Sequence, residues 1–295
     1  MKQKILCLGA TGFIGQALLA RIPRADFEIG IIIHKKRANL NHVTQLIGDI
    51  LDLQSLTNAI KEFKPDIIIN LVGIIKEYPP LVTYENIIYQ GTNNLCKACK
   101  DNKIKKIIFL SAIGADISGA TGYFVAKAKA ESEIMNSGIN WVIFRPSVIF
   151  GPNAGFSLEL ISLLNQLPFI PIIGSGNYLF QPVALATVIE CIVQSLTNSE
   201  INNRLYELVG PDVLTFSQII LIFKKVIKST KPIIHIPLFI IKLLVKLEKV
   251  KIPFPLTSDQ LKMLQLGSTG SNRELTKDFK ITNINFAADS HYPLY

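Results

Sequence analysis

Lys4-Ile5-Leu6-Cys7-Leu8-Gly9-Ala10-Thr11-Gly12-Phe13-Ile14-Gly15 is the stretch on which the fold of this chain turns. An apolar run, Ile5 to Leu8, leads into glycines at intervals of three, and an amphipathic segment (Phe13, Ile14, Ala17, Leu18) begins inside the glycine turn. The order is strand, tight turn, helix. Glycine at such a turn lets the backbone bend sharply and approach a pyrophosphate, which then lies at the positive end of the helix. The spacing is Gly-x-x-Gly-x-x-Gly, a variant of the simpler Gly-x-Gly-x-x-Gly fingerprint. Gly9, Thr11, Gly12, Phe13, Ile14 and Gly15 are therefore expected to hold a dinucleotide.

Moving outward, strands and helices alternate. Glu28–Ile33 reads as a second strand, Val43–Ile47 as a third, and Leu53–Phe63 as a helix stopped by Lys64-Pro65. Asp66–Leu71 is a continuous apolar run, the mark of a strand covered on both faces. A long helix over Tyr84–Asn102, a strand over Lys106–Ser111, a helix over Tyr123–Ser137 and a strand over Asn140–Arg145 complete the series. This rhythm predicts an α/β chain: a Rossmann-type, doubly wound parallel sheet with right-handed crossovers. Ligands of such sheets sit beyond the carboxyl ends of the strands, where Gly9, Val72-Gly73, Ser111 and Pro146 all fall. Past Pro146 the rhythm breaks. Residues 1–150 are expected to form the dinucleotide-binding domain, with part of 178–210 returning to it. Residues 151–295 are expected to form a smaller, mostly helical lobe over the cofactor edge. Helices are expected near Ser157–Leu167 and Val183–Leu196, and short strands at Leu179–Pro182 and Leu205–Val209.

Composition narrows the function. Of 295 residues, 49% are hydrophobic and 18% charged, which favours a packed core over disorder. No apolar run reaches the roughly 18 residues that span a bilayer. Met1-Lys2-Gln3-Lys4 is followed by only a short apolar run, so no secretory leader is expected and the chain reads as cytoplasmic. The net charge of +9 suits an anionic membrane face, an acidic protein or a nucleic acid. Its lysines are spread along the chain without interleaved aromatics, so no nucleic-acid partner is expected. Cys96 and Cys99 have metal-like spacing but no second pair, and they read as helix thiols; no metal is expected.

Three further features carry chemistry. His34-Lys35-Lys36-Arg37 follows the second strand, where dinucleotide folds often place an acid for the ribose 2′-hydroxyl. Lys35, Lys36 and Arg37 would pair with a 2′-phosphate, so NADP(H) is expected over NAD(H). Tyr123 and Lys127 lie four apart on one helix face, so the ammonium is expected to lower the tyrosine pKa and ready it for proton transfer. Ser111, at a strand end, would bind the same substrate oxygen; Lys129 points elsewhere and serves as an internal control. Finally, Pro237–Leu247 is apolar, with Lys242 and Lys246 on one helical face. It suits either a bilayer surface or membrane complex, giving a peripheral place on the inner face of a membrane, or the core of the small lobe.

Gly9–Gly15, Ser111, Tyr123 with Lys127, and Arg145-Pro146-Ser147-Val148-Ile149-Phe150-Gly151-Pro152 resemble the short-chain dehydrogenase/reductase superfamily, in its extended or atypical branch. Asn70–Ile74, Ser111–Ala115 and Phe180–Val183 are similar to the nucleotide-binding accessory subunit of respiratory complex I and its bacterial relatives, a group akin to sugar-nucleotide epimerases. The resemblance implies that Asp49 and Ile50 flank the adenine and that Pro146 and Val148 lie near the nicotinamide. It also implies a tightly held NADPH with a structural role. The chain departs from the group at Ile88 and over Ala184–Thr187, where relatives carry polar residues, which weakens the case for a polar sugar. The alternatives are an active NADPH-dependent oxidoreductase on a small apolar carbonyl or quinone-like compound through Ser111, Tyr123 and Lys127, and a nucleotide-sugar epimerase or dehydratase.

Overall fold

The structure, a computed structural model, describes residues 2–34, 39–40, 42–100, 102–247 and 256–286; the side chains of Lys246 and Leu247 are outside that description. Its elements run β1 (Gln3–Leu8), α1 (Phe13–Leu19), β2 (Phe27–Ile33), β3 (Thr44–Ile47), α2 (Leu53–Phe63) and β4 (Ile67–Asn70). A π-helical turn, Glu85–Gln90, then runs into α3 (Gly91–Lys100), followed by β5 (Lys106–Leu110), α4 (Gly122–Met135), β6 (Asn140–Pro146) and β7 (Ile149–Phe150). After these come α5 (Gly155–Gln166), β8 (Ile170–Ile173), β9 (Leu179–Phe180), β10 (Val183–Ala184), α6 (Leu185–Thr197), β11 (Arg204–Leu208) and β12 (Leu214–Thr215). The chain closes with α7 (Phe216–Val226), β13 (Ile233–Ile236), α8 (Leu238–Leu247), α9 (Ser258–Leu266) and α10 (Leu275–Asp278).

Two compact units divide these elements. The first comprises residues 1–146, 188–207 and 272–281. It holds a seven-stranded sheet in the order β11-β6-β5-β4-β1-β2-β3, with β1 pairing in parallel with both β2 and β4. The pairs β2–β3, β4–β5 and β5–β6 are parallel too. Strand order reverses at β1, as in a doubly wound sheet. Alternate residues serve opposite faces. Leu6, Leu8, Ile68, Ile107, Phe109 and Ile143 pack into one cluster with Leu56, Ile60 and Phe63 of α2, Leu95 of α3 and Ala126, Ala130 and Ile134 of α4. The intervening Ile5, Cys7, Ile69, Ile108, Val142 and Phe144 are equally buried, so both faces are covered. Beneath β6, Phe144 stacks on Tyr206 of β11, and Phe279 meets both rings edge-on.

Local chemistry explains the boundaries. Asp52 caps α2 by accepting from the Gln54 and Ser55 N–H groups, and Lys64 ends it in the left-handed conformation. Lys106 is buried in β5, yet its ammonium donates to the Ser195 and Asn198 carbonyls near the end of α6, where a cation complements the helix dipole. The helix expected over Tyr84–Asn102 is interrupted: its first stretch is the π-helical turn, and only Gly91–Lys100 is α-helical. At Gly91 a side chain would meet Ile50 at 2.8 Å, so glycine here lets α3 close on the loop after β3. Cys96 and Cys99 are buried thiols of α3, and burial pushes Cys96 up to about 12. Among the described residues no cluster of metal-binding side chains occurs.

The second unit comprises residues 147–187, 208–271 and 282–295. Its core gathers Phe150, Leu160, Leu164, Ile172, Phe216, Ile220, Phe223, Ile241, Val245 and Phe286. Three short two-stranded sheets, β7–β10, β9–β12 and β8–β13, complete it. Two expectations need correction. Val183 and Ala184 pair with β7 before α6 begins at Leu185, and β13 inserts a strand into the tail. Isoleucine-rich Ile233–Ile236 satisfies strand propensity as well as helical patterning, and partnership with β8 decides it.

Candidate functional site

The turn after β1 does what the glycines suggest. Gly9 has φ +77°, and a Cβ there would lie 2.9 Å from the Leu71 carbonyl carbon. Gly15 seats α1 on the turn, since a Cβ would come within 2.5 Å of the Ala10 Cα. Gly12 differs: it is exposed, its φ is −73°, and the nearest atom to an added methyl would be the Gly9 oxygen at 3.3 Å. The fold therefore demands Gly9 and Gly15 for its own packing, while Gly12 leaves open surface at the first turn of α1. Thr11 is exposed there and its carbonyl accepts from Gln16 Nε2 at 2.8 Å; Phe13 and Ile14 are half-buried.

Along the same edge, β4 ends in Asn70, which is fully buried. Its Oδ1 accepts from the Val72 N–H at 3.1 Å and its Nδ2 donates to Thr92 Oγ1 at 3.2 Å. This clamp, which fixes the path of Val72 and Gly73, was not among the expected site residues; its signal was one amide ending an apolar run. Next to Gly73 lies Lys127. Its Nζ donates to the Leu110 carbonyl at 2.7 Å, sits 4.7 Å from the Phe109 ring centroid, and would be 3.5 Å from a Cβ on Gly73. Ser111 begins where β5 ends. Its N–H donates to the Phe144 carbonyl at 2.7 Å, and its buried Oγ has no hydrogen-bond partner among the described residues. Pro146 ends β6, its carbonyl accepting from the Ile113 N–H at 3.0 Å. Val148 belongs to the second unit, where its carbonyl accepts from the Val183 N–H.

Electrostatics revise one expectation. Burial pushes the Tyr123 phenol up to about 12 and pulls the Lys127 ammonium down to about 8, against the opposing charge of Glu131. Burial is the cause that acts on the tyrosine, and the Lys127 ammonium donates to the Leu110 carbonyl. Tyr123 packs between rings, with Tyr84 edge-on at 5.6 Å and Phe124 at 5.6 Å. Lys129 faces away, paired with Glu85 at 3.0 Å and set over the Tyr89 ring. Sequence reading also passed over Glu131, one turn beyond Lys127. It is buried and held bidentately by Arg145 through Nε at 2.8 Å and Nη2 at 2.5 Å. Ile88, where a polar residue was noted as missing, is core.

At the far end of the edge, Asp49 follows β3. Its carboxylate accepts from the Leu51 N–H at 2.9 Å and pairs with His34 Nδ1 at 3.2 Å; Ile50 is held by Asn94, whose amide donates to its carbonyl. Lys35, Lys36 and Arg37 lie outside the described residues. What the described residues set at the end of β2 is thus His34 with a carboxylate.

A glycine turn after the first strand and an order reversal at β1 mark a Rossmann-fold, NAD(P)-binding protein of the short-chain dehydrogenase/reductase type. Residues 5–208 match the NAD dependent epimerase/dehydratase family, and the chain belongs to that family. It is 27% identical over 267 residues to NADH dehydrogenase [ubiquinone] 1 alpha subcomplex subunit 9, mitochondrial, of Arabidopsis thaliana, covering 86% of this chain and 66% of the plant protein. The chain thus spans just under two thirds of that relative. It is 26% identical over 258 residues to the N-acetyl-alpha-D-glucosaminyl-diphospho-ditrans,octacis-undecaprenol 4-epimerase of Escherichia coli O157:H7, covering 80% and 76%. Among solved structures, UDP-glucuronic acid 4-epimerase from Bacillus cereus, in complex with UDP-glucuronic acid and NAD, superposes with a TM-score of 0.76 at 18% identity, covering 99% of this chain and 98% of that one.

These structures correct the cofactor preference. The B. cereus enzyme was captured with NAD, as were further solved proteins of this fold, so the expectation of NADP(H) over NAD(H) is overturned.

Proposed function

We propose that the chain binds NAD(H) along the carboxyl edge of its first unit and holds it mainly as a fixed structural element rather than turning it over. Gly12, Val72 and Gly73 would give the backbone approach, Asp49 the ribose contact, and Lys127 the cation for the second ribose. The fit rests on the Ser111 hydroxyl, buried without a partner, and on the open surface at Gly12. The observation that carries the structural role is the packing of Tyr123 between the Tyr84 and Phe124 rings, with the Lys127 ammonium donating to the Leu110 carbonyl; burial raises the phenol further. Relatedness to a protein named as a subunit of an NADH dehydrogenase supports the choice of NAD(H).

A second reading is favoured by Ser111. An unpartnered hydroxyl at a strand end is suited to a substrate oxygen, and with Tyr123 as the proton donor the same edge would serve an oxidoreductase or, as in the epimerase relatives, a sugar epimerase. The nicotinamide, when bound, supplies the hydride. Ser111 would orient the substrate oxygen, Tyr123 would give or take its proton, and Lys127 would hold the ribose.

Absorbance of reduced nicotinamide in the purified protein separates the two. Co-purified NADH that resists a panel of carbonyls, quinones and UDP-sugars supports the holding role. Steady oxidation lost in Tyr123→Phe and kept in Lys129→Ala establishes turnover instead.

A further inference from the structure

We propose that the exposed face of α8 docks the second unit on an anionic lipid bilayer, with the helix lying in the headgroup plane. Ile241 and Val245 are buried and join the core of the unit. At about 100° per residue, the opposite side of the helix falls to Phe239 and Leu243, with Ile240 on one flank and Lys242 on the other. All four are exposed, and Phe239, at 72%, is the most exposed large apolar side chain described. Ile233 and Ile234 of β13, joined to α8 through Pro237, are exposed as well. One exposed leucine needs no explanation, but five large apolar side chains within eleven residues do. The helix has ten residues, about 15 Å and half of what crosses a bilayer core, so its contact is with the surface.

Charge around this face is of one sign and one kind. Residues 213–247 hold six lysines and neither an acid nor an arginine. The second unit as a whole has nine lysines, all within residues 224–262, and no arginine. Lys225, Lys228 and Lys242 are exposed, and among the described residues no carboxylate pairs with them. Lys231 is tied down, its ammonium donating to the Leu164 and Asn165 carbonyls at the end of α5. That balance selects the occupant. Protein interfaces favour arginine and are depleted in lysine, because a matched carboxylate needs a fixed, forked donor. A surface of anionic lipids needs only diffuse positive charge around an apolar wedge, which mobile lysines supply without individual partners.

The experiment places a tryptophan on the exposed face. In Phe239→Trp of the full chain, vesicles of phosphatidylserine with brominated phosphatidylcholine should quench the added emission about twofold or more and shift it to shorter wavelength. Wild type is the blank: its one tryptophan, Trp141, packs against the core of the first unit and should change little. Vesicles of brominated phosphatidylcholine alone should bind about fivefold more weakly or worse. Adding Leu243→Ser should weaken binding to both kinds of vesicle roughly tenfold, since it removes apolar area and not charge. An added tryptophan that acrylamide cannot reach before vesicles are present overturns the proposal: the face is then covered by the chain itself or, where light scattering gives twice the mass, by a second copy. An accessible tryptophan that no vesicle changes overturns it as well and leaves the face to a protein partner. Vesicle binding that spares this tryptophan from the bromines overturns it too, because another face then meets the bilayer. None of these readouts depends on dinucleotide binding.

Discussion

Two helices of this chain break the ordinary rule of what goes inside, in opposite directions. In the first unit, α4 buries Lys127 and Glu131. In the second, α8 buries Ile241 and Val245 but leaves Phe239 at 72% and Leu243 at 61% exposure, with Lys242 on the exposed side. A hidden charge and a displayed aromatic are both costly, and each is more informative than any well-placed leucine. The first kind of violation marks chemistry held inside the protein. The second poses the question of what the exposed face of α8 meets.

The comparison breaks most readily at Arg145. Arg145→Ala leaves Glu131 buried without its cation, and chemical denaturation should show a loss near the lower end of about 3–5 kcal/mol, because the arginine is itself a quarter exposed. Phe239→Ser with Leu243→Ser should change stability by no more than about 0.5 kcal/mol each. Equal losses from the two sets of variants would mean that the α8 face is core, covered by some other part of the chain.

The glycine turn sharpens the contrast between residues the fold needs and residues a ligand needs. Gly9→Ala must adopt φ +77° against the Leu71 backbone and should cost about 1–3 kcal/mol by denaturant unfolding. Gly12→Ala should leave the unfolding midpoint nearly unchanged yet weaken NADH binding at least tenfold, by calorimetry. If Gly12→Ala binds normally, the open surface at α1 is not where the pyrophosphate rests.

Ser111→Ala goes the other way. Removing a buried hydroxyl that has no partner among the described residues should stabilise the unliganded protein by about 1 kcal/mol. The same change should slow any turnover or loosen the dinucleotide. A destabilised Ser111→Ala would show that the hydroxyl already has its partner inside the chain.

The legible part of this protein was the part built from local signals. Gly9 to Gly15, the apolar runs at Ile67–Asn70 and Lys106–Leu110, and the stop at Lys64-Pro65 each declare an element through turn chemistry or periodicity alone, so the doubly wound sheet followed from them. The strand ends at Gly9, Asn70, Leu110 and Pro146 were legible as one edge of the sheet, but the chemistry around them was not. Tyr123 and Lys127 share a face as their spacing says, yet burial rather than their mutual charge governs the tyrosine, and burial depends on Tyr84 and Phe124. Glu131 became visible only through Arg145, fourteen residues away. The cofactor preference rested on Lys35, Lys36 and Arg37, a run of cations whose direction no local pattern in the sequence fixes, and solved proteins of this fold hold NAD instead.

The smallest effect concerns α8. Its exposed face combines Phe239 and Leu243 with Lys242, and residues 224–251 contain eight lysines against a single acid, Glu248. No helix among the described residues is long and apolar enough to cross a membrane, so contact with a bilayer would be at its surface. An apolar wedge flanked by cations is the pattern that seats a helix among anionic headgroups. One lysine near such a surface contributes about 1 kcal/mol, so Lys242→Glu should reduce flotation with phosphatidylserine-containing liposomes about fivefold or more, the added negative charge widening the loss. Phe239→Ser should reduce it with neutral and anionic vesicles alike, since it removes area and not charge. Salt should abolish the lysine effect and spare the phenylalanine effect. If the wild-type chain ignores liposomes of either kind, the apolar face of α8 belongs to a protein partner, and the second kind of violation points to assembly instead of a membrane.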